Sequence, residues 1–170
     1  MREILFRGKR AYSKEWVEGF YFNRNWEQIV HHFIKYETWD EGFVTNEVIP
    51  ETVGQYTGLT GKNGKKVFEG DIVKCRHRWT NHNFGGTDEE IFYNQKIKNA
   101  YGKYKETTNG LYDNFYYYRN YCVEYFSRNG RYRVRNGSQF HDLTYSFILN
   151  HDIEVIGNIH DNPELLEVEE

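Results

Sequence analysis

Cysteine is scarce in this chain: Cys75 and Cys122 are the only two among 170 residues. That argues against a disulfide-stapled scaffold, and a chain of this length buries a real core without staples. Methionine is nearly absent, with Met1 alone. No apolar run approaches membrane-spanning length. The opening MREILFRGKR has no apolar stretch of the secretory-leader type before charges resume. The expected setting is therefore cytoplasmic, without membrane contact and with both thiols reduced. Hydrophobic residues reach only 38%, yet aromatics make up 18%. A core built here must lean on Tyr, Phe and Trp, a composition that favours strands over helices.

Charge of either sign is not in large excess, with a formal net of −3. Its distribution is uneven. Nine bases fall between Lys96 and Arg135, against Glu106, Asp113 and Glu124. Beyond Arg135 there is no Lys or Arg, and acids from Asp142 to Glu170 follow. Such asymmetry can mark a polyanion site. The plainer alternative is that the acidic end folds back over basic strands or solvates the tail.

Along the chain, Ile4–Phe6 and Trp16–Phe22 read as two strands of an opening hairpin across Ala11–Glu15. Ile29–Tyr36 fits a strand or one short helix, since periodicity does not separate them. Glu47–Ile49 suggests an edge strand stopped by Pro50. Gly58, Gly61, Asn63 and Gly64 form dense turn chemistry. Gly70 and Asp71 then mark a sharp bend into a strand ending near Cys75: glycine permits the bend, and the Asp can bond nearby backbone amides. His77–Asn120 is rich in Asn, Gly, Tyr and Lys, and reads as an insertion with a short helix at Asp88–Ala100. Tyr121–Phe126 and Arg131–Arg135, joined by Ser127–Gly130, form the clearest hairpin. Leu143–Leu149 is a short helix or strand, and Ile153–Ile159 a late strand. Pro163 fits the first position of a helical turn. The whole reads as mainly β, with a small bent SH3-like barrel core, an added N-terminal hairpin and the long insertion.

No residue set amounts to a strong chemical signature. Gly64-Lys65 lacks the earlier glycine, the following Ser or Thr, and the helix of a phosphate loop; Leu59 and Lys66 stand in those places. Cys75, His77 and His82, completed by Cys122 and His141, could hold zinc only without any recognised ligand spacing. Glu69 and Asp71 share a strand face, but turn capping explains them better than acid–base chemistry. The expectation is no catalytic residue, no metal and no cofactor. The candidate binding surface is the basic face of the Tyr121–Arg135 hairpin. Arg128, Arg131, Arg133 and Arg135, with Arg119 and Tyr125, could neutralise phosphates and stack on bases of a single strand. The same arginines would equally shield a strand edge from aggregation. Abundant Tyr and Trp, with Trp26, Trp39 and Trp79 in polar contexts, suit a protein partner or a homo-oligomer.

Four segments carry a resemblance. Phe6-Arg7-Gly8-Lys9, Trp16-Val17-Glu18-Gly19, Thr52–Val73 and Glu154–Leu166 resemble, in that order, the YopX family of phage and prophage proteins. TVGQYTGLTGKNGKKVFEGDIV and EVIGNIHDNPELL are the specific parts. The resemblance implies one mostly β domain over residues 1–170, interrupted by the insertion at about 77–120. It implies a phage or prophage accessory role in a bacterial host cell. It implies no established activity and no functional residues. The expected function is a non-catalytic binding or assembly module, with single-stranded nucleic-acid binding as the alternative.

Overall fold

The computed structural model describes residues 3–82, 104–108 and 112–166. Alternating aromatic and β-branched residues produce two antiparallel sheets. The first contains β1 (Phe6–Lys9), β2 (Trp16–Trp26), β3 (Ile29–Thr38), β4 (Gly42–Glu47), β5 (Gly54–Thr60) and β6 (Lys66–Phe68), in the order β4-β3-β2-β1-β5-β6. The second contains β7 (Asp71–His82), β8 (Tyr104–Thr108), β9 (Tyr112–Phe126), β10 (Arg131–Asn136), β11 (Gln139–Asp142) and β12 (Glu154–Asn158). Its order is β11-β10-β9-β7-β12, with β8 laid on β9. A single short α-helix among the described residues, α1 (Tyr145–His151), joins β11 to β12. The Thr144 hydroxyl caps it by accepting from Phe147 N.

The mainly β class is as expected, but the strands do not close into a barrel. The opening hairpin sits beside the Thr52–Cys75 strands as expected, because β1 pairs with β5 and makes one sheet with β5 and β6. That stretch itself divides, because β5 and β6 join the first sheet and β7 the second. The crossing is made at Gly70, whose φ of 80° is open to glycine and strained for other residues. Its N–H donates to Val123 O at 2.8 Å, and its carbonyl accepts from Ile159 N at 2.9 Å. The turn after β5 leans on β12: Lys62 N donates to Ile153 O and Asn63 Nδ2 to Val155 O, at 2.7 and 3.0 Å. The two sheets are thus joined here by a few bonds rather than by a ladder.

Two cores result. The larger unites Val67 from β6 with Val73, Cys75, Tyr121, Val123, Val134, Ile153 and Val155 of the second sheet, under Leu143 and Ile148. The smaller gathers Val17, Ile34 and Val48, with Phe6, Tyr36 and Val53 against them. Ile29–Tyr36 resolves as a strand, because Ile34 must reach this core while its neighbours face out. The edge strand expected at Glu47–Ile49 lies earlier, at β4, and Val48 adds only a bridge to Arg10. Leu143–Leu149 falls largely within α1. The β7–β9 ladder runs unbroken from Ile72↔Cys122 to His82↔Tyr112, carrying sheet structure into the segment read as an insertion. The helix expected at residues 88–100 lies outside the described residues.

Candidate functional site

Strand register decides what the basic hairpin can present. Tyr132 lies opposite Tyr125, and Arg133 opposite Glu124. Because side chains alternate, Arg131, Arg133 and Arg135 share a face with Glu124, Phe126 and Cys122. Arg119 and Tyr125 occupy the other face, with Tyr121 and Val123. Five of the six candidate contacts are therefore split between two faces, and the sixth, Arg128, lies in the turn. On the arginine face, Arg133 is mostly buried, ion-paired to Glu124, and stacked 3.9 Å over the Phe126 ring. Arg131 pairs with Asp142 at 3.2 Å, and Arg135 donates to Gly137 O at 2.9 Å. Arg119 donates to Gln139 on the neighbouring strand edge. Arg128, in the β9–β10 turn, is exposed and has no ion pair among the described residues.

The acidic end disperses rather than covering one basic patch. Asp142, Asp152, Glu154 and Asp161 pair with Arg131, Arg76, Lys62 and Lys9 respectively.

The turn residues lie where bends demand them. Gly58 and Gly64 adopt positive φ of 85° and 75°. Gly61 packs so closely on Ile153 that a Cβ there would meet its carbonyl at 3.0 Å. Asp71 Oδ2 accepts from Phe68 N at 2.7 Å, which ties off the bend before β7.

Asp71 also belongs to a cluster that sequence reasoning missed. Arg7 Nη1 lies 2.5 Å from the fully buried Asp71 Oδ1, an ion pair that links the first sheet to the second. The Arg7 guanidinium is sandwiched between the rings of Trp16 and Phe68, at 4.8 and 5.0 Å. Nearby, Asp161 accepts from Lys9 Nζ, from Trp16 Nε1 at 2.7 Å and from Asn158 Nδ2 at 2.9 Å. Asn158 Oδ1 in turn accepts the backbone N–H groups of His160 and Asp161. This clasp joins β1 and β2 to β7 and the end of β12, and it draws on all four segments that carry the family resemblance. Burial raises the Asp71 carboxyl above the ordinary range, against the pull of Arg7 and the Phe68 N–H. The Lys9, Asn158 and Trp16 hydrogen bonds hold Asp161 well below it. Burial, with Lys9 and Arg7 beside it, lowers His160. Each residue was visible in a quoted segment, but no spacing rule pairs positions 7 and 71.

Neither thiol is poised for chemistry. Burial pushes Cys75 up to about 12. It pushes Cys122 up to about 11, helped by Glu124, Asp71 and Glu69. Among the described residues no three His, Cys, Asp or Glu side chains converge as a metal site. The side chains of His77 and His82 lie outside those described. No described helix is long and apolar enough to cross a membrane.

A group of exposed apolar side chains that no internal packing explains lies on the first sheet. One face of β2–β3–β4 covers the smaller core through Val17 and Ile34. The other presents Phe20, Phe22, Trp26, Ile29, Phe33 and Phe43, brought together by Phe22↔Phe33, Trp26↔Ile29 and Glu37↔Phe43 pairing. Phe20, Trp26, Ile29 and Phe43 are 65%, 70%, 61% and 63% exposed, so they serve no internal packing. Phe22 and Phe33 stack at 5.3 Å, and Lys35 Nζ lies 4.4 Å over the Phe43 ring. Of the tryptophans singled out, Trp26 belongs to this face. Trp39 is fully exposed in the next turn, and the Trp79 side chain lies outside those described.

Two open antiparallel sheets, one ion-paired clasp and one bare aromatic face define a β protein whose distinctive chemistry lies in its surfaces. The chain belongs to the YopX family: the model of that family, described as YopX protein, matches residues 5–167. Among solved structures, the crystal structure of protein EF1440 from Enterococcus faecalis is similar, with 22% identity over 98% of this chain and 100% of that one, and a TM-score of 0.40. No curated protein matches the chain.

Proposed function

We propose that the protein is a non-catalytic assembly module that associates with a second copy of itself through the outer face of β2–β3–β4. A phage or prophage accessory role in the bacterial cytoplasm is what the family resemblance implies for it. The carrying observation is the cluster of exposed aromatic and aliphatic side chains on this face, crossed by the Arg24↔His31 row, of a kind monomeric proteins rarely leave bare unless it meets a partner. Its charges favour self-association. Arg24 and Lys35 stand on the same face as Glu37 and Glu47, the last paired with His31, so the face carries both signs of charge and can complement a copy of itself. Sheets pack face to face readily, with aromatic side chains interdigitated. Three strands, the longest of eleven residues, give a footprint of roughly 14 by 30 Å at ordinary spacing and rise. That footprint sits at the small end of specific interfaces, so a weak, concentration-dependent dimer is expected.

Light scattering coupled to size exclusion tests this with wild type and a Trp26→Glu/Phe43→Glu double variant. The substituted side chains are exposed, so the melting temperature should hold while the dimer disappears. A wild-type chain that stays monomeric at high concentration, or a double variant that still dimerises, contradicts the proposal.

A further inference from the structure

The outer face of β2–β3–β4 is not uniform along its strands. Paired residues cross it in rows: Trp26 with Ile29, Arg24 with His31, Phe22 with Phe33 and Glu47, Phe20 with Lys35 and Thr45, and Glu37 with Phe43. Toward the β2–β3 tip stand Arg24 and His31, with the acid Glu27 in the tip turn itself. Toward the other end stand exposed acids: Glu18 of β2, Glu37 of β3, and Asp40 and Glu41 of the β3–β4 turn. Glu18 lies 3.8 Å from Lys66, whereas Glu37, Asp40 and Glu41 have no ion pair among the described residues. Between the ends, Lys35 lies over the Phe43 ring, and His31 holds Glu47 at 2.7 Å. Trp39 projects from the acidic turn, beside a depression of about 400 Å³ that it lines with Glu37 and Thr38. One end of the face is therefore acidic and the other is not.

Two copies of one sheet can stack with twofold symmetry in two ways, with the axis along the strands or across them. With the axis along β3, each row lies over its own copy. Glu37 then meets Glu37 and the acidic turns coincide, a like-charge juxtaposition that opposes binding. With the axis across β3 at Ile34, the rows exchange. Arg24 and His31 then lie over the row that holds the partner's Glu37 and the partner's Glu18. Lys35 lies over the ring of the partner's Phe33, beside the partner's Glu47, and the two acidic turns sit at opposite extremes. We infer that the two copies stack antiparallel, and that the Trp39–Glu41 turn is the docking site for the β2–β3 tip of the second copy, which brings Trp26 and Ile29 to Trp39. This rests on the self-association proposed above and adds its orientation and a second contact region outside the three strands.

Distances between spin labels, read by pulsed electron resonance at about 200 µM protein, test the orientation. One label goes on Asn25→Cys, near the tip, and one on Glu41→Cys, in the acidic turn; both positions are exposed. Burial holds back Cys75 and Cys122, so the introduced thiol takes the label. The tip and the turn are about 30 Å apart along β3 at ordinary strand rise. Antiparallel stacking predicts about 30 Å or more between two Asn25→Cys copies, and likewise between two Glu41→Cys copies. A mixture of the two variants should add a short distance, about the 10 Å sheet separation plus the label arms. Short distances within each single variant, and a long one in the mixture, overturn the inference while the self-association stands. Absence of any distance between copies overturns the self-association as well. Charge reversal gives a second reading. Arg24→Glu and Glu37→Lys should each weaken the dimer about tenfold, and the two together in one chain should restore it, because the overlaid ends again differ in sign. Double-variant dimers no stronger than those of the single variants contradict the docking site.

Discussion

Asp71 and Asp161 sit in the same clasp and respond to acid in opposite directions. Asp161 binds its proton less readily in the folded chain than in the unfolded one. The unfolded state therefore holds more protons, and stability from this group rises with pH. It is fully present above the unfolded carboxylate range near about 4, and is lost as pH falls toward the folded value. Burial gives Asp71 the reverse sign: its contribution is full below the unfolded value and is lost as pH rises through the folded one. Urea unfolding across the acidic range should therefore show Asp161→Asn flattening the rise of stability with pH. Asp71→Asn should steepen it. At neutral pH, Arg7→Met leaves the buried Asp71 carboxyl without its counter-charge, with an expected loss of about 3 kcal/mol by chemical denaturation. A neutral profile in both variants contradicts the clasp. The thiols give a further check at this scale. Iodoacetamide at mildly alkaline pH should leave Cys75 and Cys122 unmodified in the native chain and label both after unfolding, read by mass spectrometry. Native labelling would contradict the burial that raises them.

Among elements, the β2–β3 hairpin carries the clearest local strain. Its two turn residues, Glu27 and Gln28, hold φ of 50° and 67°. This left-handed pair suits the right-handed twist of a hairpin, but Asn and Gly adopt it far more easily. Glu27→Asn with Gln28→Gly should raise the melting temperature by several degrees, equivalent to about 1 kcal/mol or more. An unchanged or lowered melting temperature would mean the turn is not strained. In α1, Thr144→Ala should cost about 1 kcal/mol by removing the cap on Phe147 N. These two elements also mark where sequence reading works and where it stops. The Tyr121–Arg135 hairpin was legible because Asn129-Gly130 and strict alternation agree. Pro163 began its short helical turn as expected. The strand β4 was not legible: GFVTNE has one branched apolar residue, and it holds its place through β3 rather than through its own pattern. The aromatic face had a signal, since Phe20, Phe22 and Trp26 recur at even positions. Strand period alone does not say which face the core will take.

Across the whole molecule, the outcome depends on how the sheets are shared out. Reading Thr52–Cys75 as one curved unit captured the sharp bend at Gly70, but not that the chain changes sheet there. Which strands become neighbours is set by long-range pairs such as Arg7 with Asp71 and Lys9 with Asp161, sixty and more positions apart. Local pattern carries no information about them. Sharing the strands this way leaves both sheets open. The second covers one face with α1 and β6, while the first leaves the far side of β2–β3–β4 bare. Self-association through that side is the central claim here. Sedimentation equilibrium from about 1 to about 200 µM, which brackets a small interface, tests it most directly. The apparent mass should climb from the 20.5 kDa of one chain toward twice that value in wild type and stay flat in Trp26→Glu/Phe43→Glu. A single-chain mass for wild type across the whole range would contradict it.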